Sequence, residues 1–437
     1  MSGRRRLRVI LFFEGAAVGI FTGVIIAAVR FFLDAADFFR PIWFSNFFDA
    51  TKIFCTVAGL IFVAIFLSKS IQFDRQVAGS GIPQIKKILH DKATMTKNPL
   101  RLVFIKFFAM VLGIGAGMSL GRAGVSVQFG ACVGNFLSKI FFVASKFHKY
   151  HGELEGKILL TAGAGAGLAA IFNAPLAGVI FCAEELHRKF SPEILSATLT
   201  ASVSASAVVE IFFGVRPLFC EMLNISTNLE KIFEPQIFFC VILFGIFSGA
   251  FGAIFTKLMI FSLYIYDKLK ILGAKRFLIP LLLIIPIGIN FPQILGCGNF
   301  LVDELLREKF FLATLIILFV GKFLFTLICF GTNAPGGVFL PVLTLGALGG
   351  NIFASIGVEF GFFSADEIIL FTIFGMAAYL AAVIKAPITG SVLIVELTGQ
   401  FSYLLALTIL SAVAFIISDL LGGKPIFSAI GEYKSPR

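Results

Sequence analysis

Four short stretches rich in glycine and proline carry the residues best suited to chemistry. They are Gly79-Ser80-Gly81-Ile82-Pro83, Gly121-Arg122-Ala123-Gly124-Val125, Pro335-Gly336-Gly337-Val338-Phe339-Leu340-Pro341 and Gly422-Gly423-Lys424-Pro425-Ile426-Phe427. Each is followed by residues able to run as a helix, and Pro83 suits a first helical turn. A helix start presents N–H groups with no intrahelical acceptor, together with the positive end of the dipole. The chemistry it offers is anion binding. Taken singly, each break also reads as an ordinary kink or a close-packing glycine. Four of them in one chain favour a backbone-lined path.

The placement of acidic residues points the same way. No Asp or Glu occurs from Lys92 through Gly152, nor from Lys309 through Val358, and these windows contain the second and third breaks. A cation path needs carboxylates or a dense set of carbonyls, whereas fixed negative charge spoils an anion path. An enzyme is not expected. The four histidines (His90, His148, His151, His187) lie in charged, loop-like stretches, and no H-E-x-x-H is present. The seven cysteines (Cys55, Cys132, Cys182, Cys220, Cys240, Cys297, Cys329) are scattered without metal or disulfide spacing. No cofactor and no metal are expected.

The elements that position these breaks lie in a membrane. Of 437 residues, 58% are hydrophobic and only 14% charged, against about 25% charged in a soluble domain. The 55 phenylalanines read as compositional drift rather than as a ring-lined path. The net charge of +11 reads as topology rather than nucleic-acid binding. Arg4, Arg5, Arg6 and Arg8 precede the first apolar run, and Lys86, Lys87, Lys92, Lys97 and Arg101 separate later ones. The N-terminus at Met1 is therefore expected inside, with the first span retained. Ten to thirteen spans are expected, the clearest near Val9–Leu33, Phe54–Leu67, Arg101–Met118, Ile158–Ala183, Ile237–Leu263, Phe277–Ile294, Phe310–Phe330, Ile368–Ile384 and Leu404–Leu421.

A polar loop, Glu221 to Gln236, divides residues 1–220 from 237–437, and the two parts resemble each other. Ala174-Pro175-Leu176-Ala177-Gly178 with Glu184 matches Ala386-Pro387-Ile388-Thr389-Gly390 with Glu396. Lys106-Phe107 matches Lys322-Phe323, and Gly130-Ala131 with Gly134-Asn135 matches Gly346-Ala347 with Gly350-Asn351. Two halves meeting at the bilayer midplane form a transporter architecture with its site at their interface. The expected fold is an all-α polytopic bundle with tilted and broken helices, and no soluble domain.

In order along the chain, the breaks resemble the signature motifs of the CLC family of chloride channels and chloride/proton antiporters. Gly79–Pro83 matches the first anion-binding motif. Gly121–Gly124 with Val127-Gln128 resembles the second, Pro335–Pro341 is similar to the third, and Asn173–Glu185, Lys385–Glu396 and Gly422–Ile430 match further segments. The resemblance implies two inverted halves and a homodimer with one chloride path per subunit, in a bacterial inner membrane. The cytosolic domain pair of many members is not expected, since the chain ends soon after Ile430. The resemblance also implies that the Ser80 hydroxyl and the N–H groups of Val338 and Phe339 hold a central anion. The N–H groups of Arg122, Ala123, Gly124, Phe339 and Leu340 form an outer site, and those of Gly79 and Ser80 an inner one. Read alone, Ser80 is rather a helix cap. Within the motif it is a chloride-favouring ligand.

Two positions depart from the family pattern. Its outer gating glutamate aligns with Ala123, which can neither occupy the outer site as an anion nor carry a proton. Its central tyrosine aligns with Phe427, which keeps the bulk but loses a donor. Glu185 aligns with the inner proton-transfer glutamate, yet it also reads as a structural charge, with Glu184 pairing Arg188 and Glu185 pairing Lys189 at i,i+4 spacing. The expectation is a passive, chloride-preferring conduit with little proton coupling. The alternatives are a chloride/proton antiporter with a different proton path, or a transporter of fluoride or nitrate. Ser80 argues against nitrate, and the preserved Gly336–Pro341 motif argues against fluoride.

Overall fold

In the bilayer every backbone polar group must find an internal partner, so long apolar runs become helices. A computed structural model describes residues 3–44, 50–144, 153–187, 191–215, 217–219, 234–364 and 366–433. Met1, His148, His151, Arg188, Lys189, Cys220 and residues 221–233 of the mid-chain loop lie outside the described residues. The first half contains α1 (Gly3–Phe44), α2 (Ala50–Phe73), α3 (Ile82–Leu89), α4 (Pro99–Gly115), α5 (Ala123–Ala144), α6 (Glu153–Phe172), α7 (Pro175–Phe181) and α8 (Pro192–Phe213). The second contains α9 (Pro235–Lys268), α10 (Ala274–Asn290), α11 (Asn299–Arg307), α12 (Leu312–Gly331), α13 (Phe339–Glu359), α14 (Asp366–Ile384), α15 (Pro387–Thr398), α16 (Leu404–Leu420) and α17 (Ile426–Glu432). Among the described residues, ten helices are long and apolar enough to cross a membrane.

Two sequence boundaries are corrected. The run Ile158–Ala183 is two helices, because Asn173 adopts φ 53° and Pro175 starts a new helix, α7, that continues as a π turn over Cys182–His187. The second half repeats this break at Lys385 (φ 67°) and Pro387. The polar loop also ends earlier than Gln236, since Pro235 opens α9. Proline supplies the φ of a first turn and has no N–H to leave unpaired there.

The same packing recurs in both halves. α5 lies on α6 as α13 lies on α14; α6 meets α8 as α14 meets α16; α1 meets α8 as α9 meets α16. Small residues set these distances. A methyl group at Gly130 or Gly163 would overlap the other residue's backbone, and Gly346 and Gly375 stand in the same relation. Close backbone approach of this kind drives helix association in lipid.

The halves are joined by a reciprocal exchange of caps. The Glu396 carboxylate accepts from Leu176 N at 2.9 Å and Ala177 N at 2.7 Å, in the first turn of α7. Glu184 accepts from Ile388 N at 3.1 Å and from Thr389 N and Thr389 Oγ1 at 2.7 Å each, in the first turn of α15. Glu184 is thus committed across the interface to a helix N-terminus, where the dipole adds to the hydrogen bonds. Arg188, the partner expected from spacing, lies outside the described residues.

Candidate functional site

Each of the four breaks ends in a helix start. Gly81, at φ 91°, is the residue before α3, and Pro83 lies in the first turn. The helix-cap reading of Ser80 is therefore not realised. Gly81 holds the cap position without a side-chain bond, and the Ser80 hydroxyl is buried with no hydrogen-bond partner. A buried hydroxyl without a partner is unfavourable, and the hydrogen-bonding capacity of Ser80 Oγ is left unused by the protein.

Three breaks are bound to one another. Gly79 N donates to Asn333 O at 3.1 Å, and Gly336 N donates to Gly79 O at 3.3 Å. Gly121 and Gly337 exchange hydrogen bonds of 2.6 and 2.5 Å in a single antiparallel bridge. Gly124 lies against Ser80 so closely that a Cβ there would come within 2.7 Å of Ser80 Cβ. Among the described residues, the N–H groups of Ser80, Arg122, Ala123, Gly124, Val338, Phe339 and Leu340 donate to no backbone carbonyl. They belong to turns and first turns whose acceptors lie outside the helix. Gly79 departs from the sequence expectation, because its N–H is already taken by Asn333.

The fourth break adds a ring. Phe427 stacks on Phe339 with centroids 5.9 Å apart, and Phe181 meets Phe339 edge-to-face at 5.7 Å. Phe172 completes the group at 6.3 Å from Phe339. Four of the phenylalanines therefore gather where the breaks converge, an arrangement that composition alone did not reveal. The rings exclude water and offer positive edges to an anion.

Charged side chains hold this centre from outside, and the motif reading missed most of them. The Arg122 guanidinium is 1% exposed, and its Nη1 reaches Asp34 Oδ1 of α1 at 2.9 Å. Nε and Nη2 of Arg122 have no partner. Lys106 is fully buried, with Nζ 2.5 Å from Gln128 Oε1 and 3.4 Å from Gln76 O, just ahead of Gly79. Its counterpart Lys322 bonds the carbonyls of Ile294 and Gly296 at 2.8 Å each. The paired positions Lys106 and Lys322 were visible in the repeat, but nothing in the sequence said what they bond.

A cavity of about 630 Å³ opens beside Gly79 and Ser80, with Arg75, Lys87 and Arg276 in its walls. Its acid, Asp267, is occupied by Arg276 at 2.8 Å and by the Tyr433 hydroxyl at 3.0 Å. The approach to Ser80 is accordingly basic, as an anion requires. Glu185, in the π turn and 1% exposed, lies 2.6 Å from Lys86 Nζ. The partner seen is thus on α3; Lys189, expected from spacing, lies outside the described residues.

Comparison with known proteins agrees with this geometry. The family profile described as voltage gated chloride channel matches residues 58–419. The chain is 33% identical over 406 residues to an H+/Cl− exchange transporter, ClcA, of Vibrio cholerae, covering 90% of this chain and 80% of the relative. It is 34% identical over 385 residues to ClcA of Vibrio vulnificus, covering 85% and 78%. A solved structure described as a slow cyanobacterial Cl−/H+ antiporter superposes with a TM-score of 0.84 at 26% identity, covering 97% of both chains. The convergent helix starts, the repeated halves and these matches together show that the chain belongs to the voltage-gated chloride channel (CLC) family of membrane anion transporters.

Proposed function

We propose that the chain moves chloride across the membrane in exchange for protons. The observation that carries anion passage is the Ser80 hydroxyl, buried and unpartnered beside the first turn of α5. On this reading, Ser80 Oγ and the N–H groups of Val338 and Phe339 hold a central chloride. The N–H groups of Arg122, Ala123, Gly124, Phe339 and Leu340 hold an outer one, and the Ser80 N–H serves the inner mouth. Neutral donors of this kind replace part of the hydration shell without binding too tightly to release. Ser80 and the intact Gly336–Pro341 motif support chloride over nitrate and fluoride. Phe427 supplies bulk at the mouth but no hydroxyl. The working unit is a pair of chains in a bacterial inner membrane, with the basic N-terminus inside.

Exchange is supported by the names of the relatives, which are H+/Cl− exchange transporters. On the motif resemblance, the family's outer gating glutamate corresponds to Ala123, and on that reading exchange here requires a proton path that does not run through residue 123. A second reading, passive chloride conduction, is favoured by two observations. Ala123 is fully buried and has no acid to offer, and Glu185 is engaged by Lys86. Chloride flux in proteoliposomes under an imposed proton gradient tests both. Uphill chloride movement driven by protons supports exchange, chloride flux indifferent to the gradient supports conduction, and no chloride flux at all refutes both.

A further inference from the structure

We infer that Asp34 is a positioning residue for the outer anion site, and that it makes chloride binding there respond to protons. Ionised, it offsets the Arg122 cation; protonated, it leaves that cation to act on the anion. The inference rests on the reading that the N–H groups of Arg122, Ala123 and Gly124 hold an outer chloride, and not on how transport is coupled. α1 and α8 run side by side in one direction. A Cβ at Gly15, Gly19 or Gly23 would overlap Ala197, Ala201 or Ala205 in turn, and Arg8 meets Glu193 at 3.3 Å. Asp34 lies about 39 Å along α1 from Arg8, and the hydrocarbon core is about 30 Å thick. It therefore belongs to the membrane face opposite the basic N-terminus.

Arg40 fixes where this end of α1 sits. Its Nη2 donates to the carbonyls of Ile114 at 3.1 Å and Gly115 at 3.3 Å, at the end of α4, which leads into the Gly121–Gly124 break. Asp34 Oδ1 then meets Arg122 Nη1 at 2.9 Å. An arginine side chain reaches about 7 Å from its own Cα, so the guanidinium lies within about 10 Å of the N–H groups of residues 122 to 124. The pair is unequally exposed, with 43% of the Asp34 side chain accessible and 1% of that of Arg122. A proton reaches the acid from solution, whereas the buried cation is screened little. Residue 123 supplies no carboxyl and none occurs from Lys92 through Gly152, so an acid for this site must come from another helix. Among the described residues, Asp34 is the acid paired with Arg122.

Other ionisable groups stand on the elements packed here. On α1, Arg30 lies over the Phe213 ring at 4.4 Å, and Asp37 pairs with Arg40 at 2.8 Å. On α8, Glu210 is half-buried, one turn before Phe213. Ahead of α11, Cys297 is buried, and Lys322 on α12 bonds the carbonyls on either side of Leu295. On α4, Arg101 lies over Phe73 at 4.0 Å, and Lys106 bonds Gln128. On α5, Lys139 is exposed; on α6, Lys157 meets Asp91 at 2.6 Å and Glu155 is buried; on α10, Arg276 pairs with Asp267. Asp37, Glu210 and the histidines also titrate below neutrality. They are present in every variant of Asp34, so the difference from wild type isolates residue 34.

The test is chloride affinity by isothermal titration calorimetry on purified full-length protein, at pH 7.5 and pH 4. The variants are Asp34→Asn, Asp34→Ser and Asp34→Glu. A charge about 10 Å from an anion, at an effective dielectric near 20, changes its affinity on the order of tenfold. The partial exposure of Asp34 reduces this to about fivefold. Asp34→Asn is expected to bind chloride about fivefold more tightly than wild type at pH 7.5. The two proteins are expected to converge at pH 4, as the wild-type carboxyl takes up a proton. Asp34→Glu keeps the charge and is expected to follow wild type at both pH values. If Asp34→Asn fails to fold, Asp34→Ser decides, with the same expectation. An acid that merely held Arg122 in place would give the opposite sign, weaker chloride binding in Asp34→Asn at both pH values, and that result overturns the inference. Equal affinity at pH 7.5 overturns it too, as does a difference that persists unchanged at pH 4. Absence of chloride binding by wild type would instead remove the anion path itself.

Discussion

Replacing Ser80 by alanine separates a ligand from a structural residue, because the two roles predict opposite signs. The Ser80 hydroxyl is buried and bonds nothing in the protein. Without chloride, then, Ser80→Ala deletes a polar group that had no partner. Stability is expected to stay level or rise by up to about 1 kcal/mol. With chloride bound, the same change removes a hydrogen bond to a charged acceptor, worth about 1.5–3 kcal/mol. That corresponds to a loss of roughly 10- to 150-fold in chloride affinity. The backbone donors of Val338 and Phe339 remain, so binding should weaken rather than vanish. Calorimetric titration with chloride gives the affinity, and thermal unfolding in chloride-free detergent solution gives the stability. A variant that binds chloride within twofold of wild type would refute the assignment of Ser80. A variant that loses stability in the absence of chloride would show that the hydroxyl has a structural partner.

Four further substitutions probe the same architecture. Phe427→Tyr adds a donor to a ring already stacked on Phe339, and chloride affinity measured calorimetrically is expected to rise about fivefold, or about 1 kcal/mol. Ala123→Glu puts a carboxylate in the first turn of α5, where free N–H groups favour an anion; chloride efflux from liposomes should fall about tenfold at pH 7.5 and return at pH 4.5, and unchanged efflux would contradict the outer site. Glu396→Gln removes the charge that caps α7 across the half interface and is expected to lower stability by about 2 kcal/mol, read as a reduced thermal midpoint. Glu184→Gln should do the same at α15, and a change at only one of the two would deny the equivalence of the halves.

Much of this architecture is legible in the chain because local rules govern it. Apolar runs of about twenty residues must be helices in lipid, and glycine beside proline marks where those helices stop and restart. Hence the four breaks, the first turn at Pro83 and the duplicated Ala174-Pro175 and Ala386-Pro387 segments are all visible before any folding. What fails locally is anything decided by partners distant in sequence. The i,i+4 rule looks only to Arg188, which lies outside the described residues, and does not see that the Glu184 carboxylate accepts from Ile388 N, 204 residues away, at a bare helix start. The family resemblance offered the Gly79 N–H to an anion, but the Asn333 carbonyl takes it.

The amino-acid sequence by itself determined the membrane setting and the family, since these follow from composition and motif, and through the family resemblance it nominated the backbone donors. Only the tertiary structure decided which of those N–H groups meet no backbone carbonyl, which rings pack on Phe339, and which cation on α3 meets Glu185. Those are properties of space between segments: Lys86 finds Glu185 across 99 positions of chain, and no local pattern records that encounter.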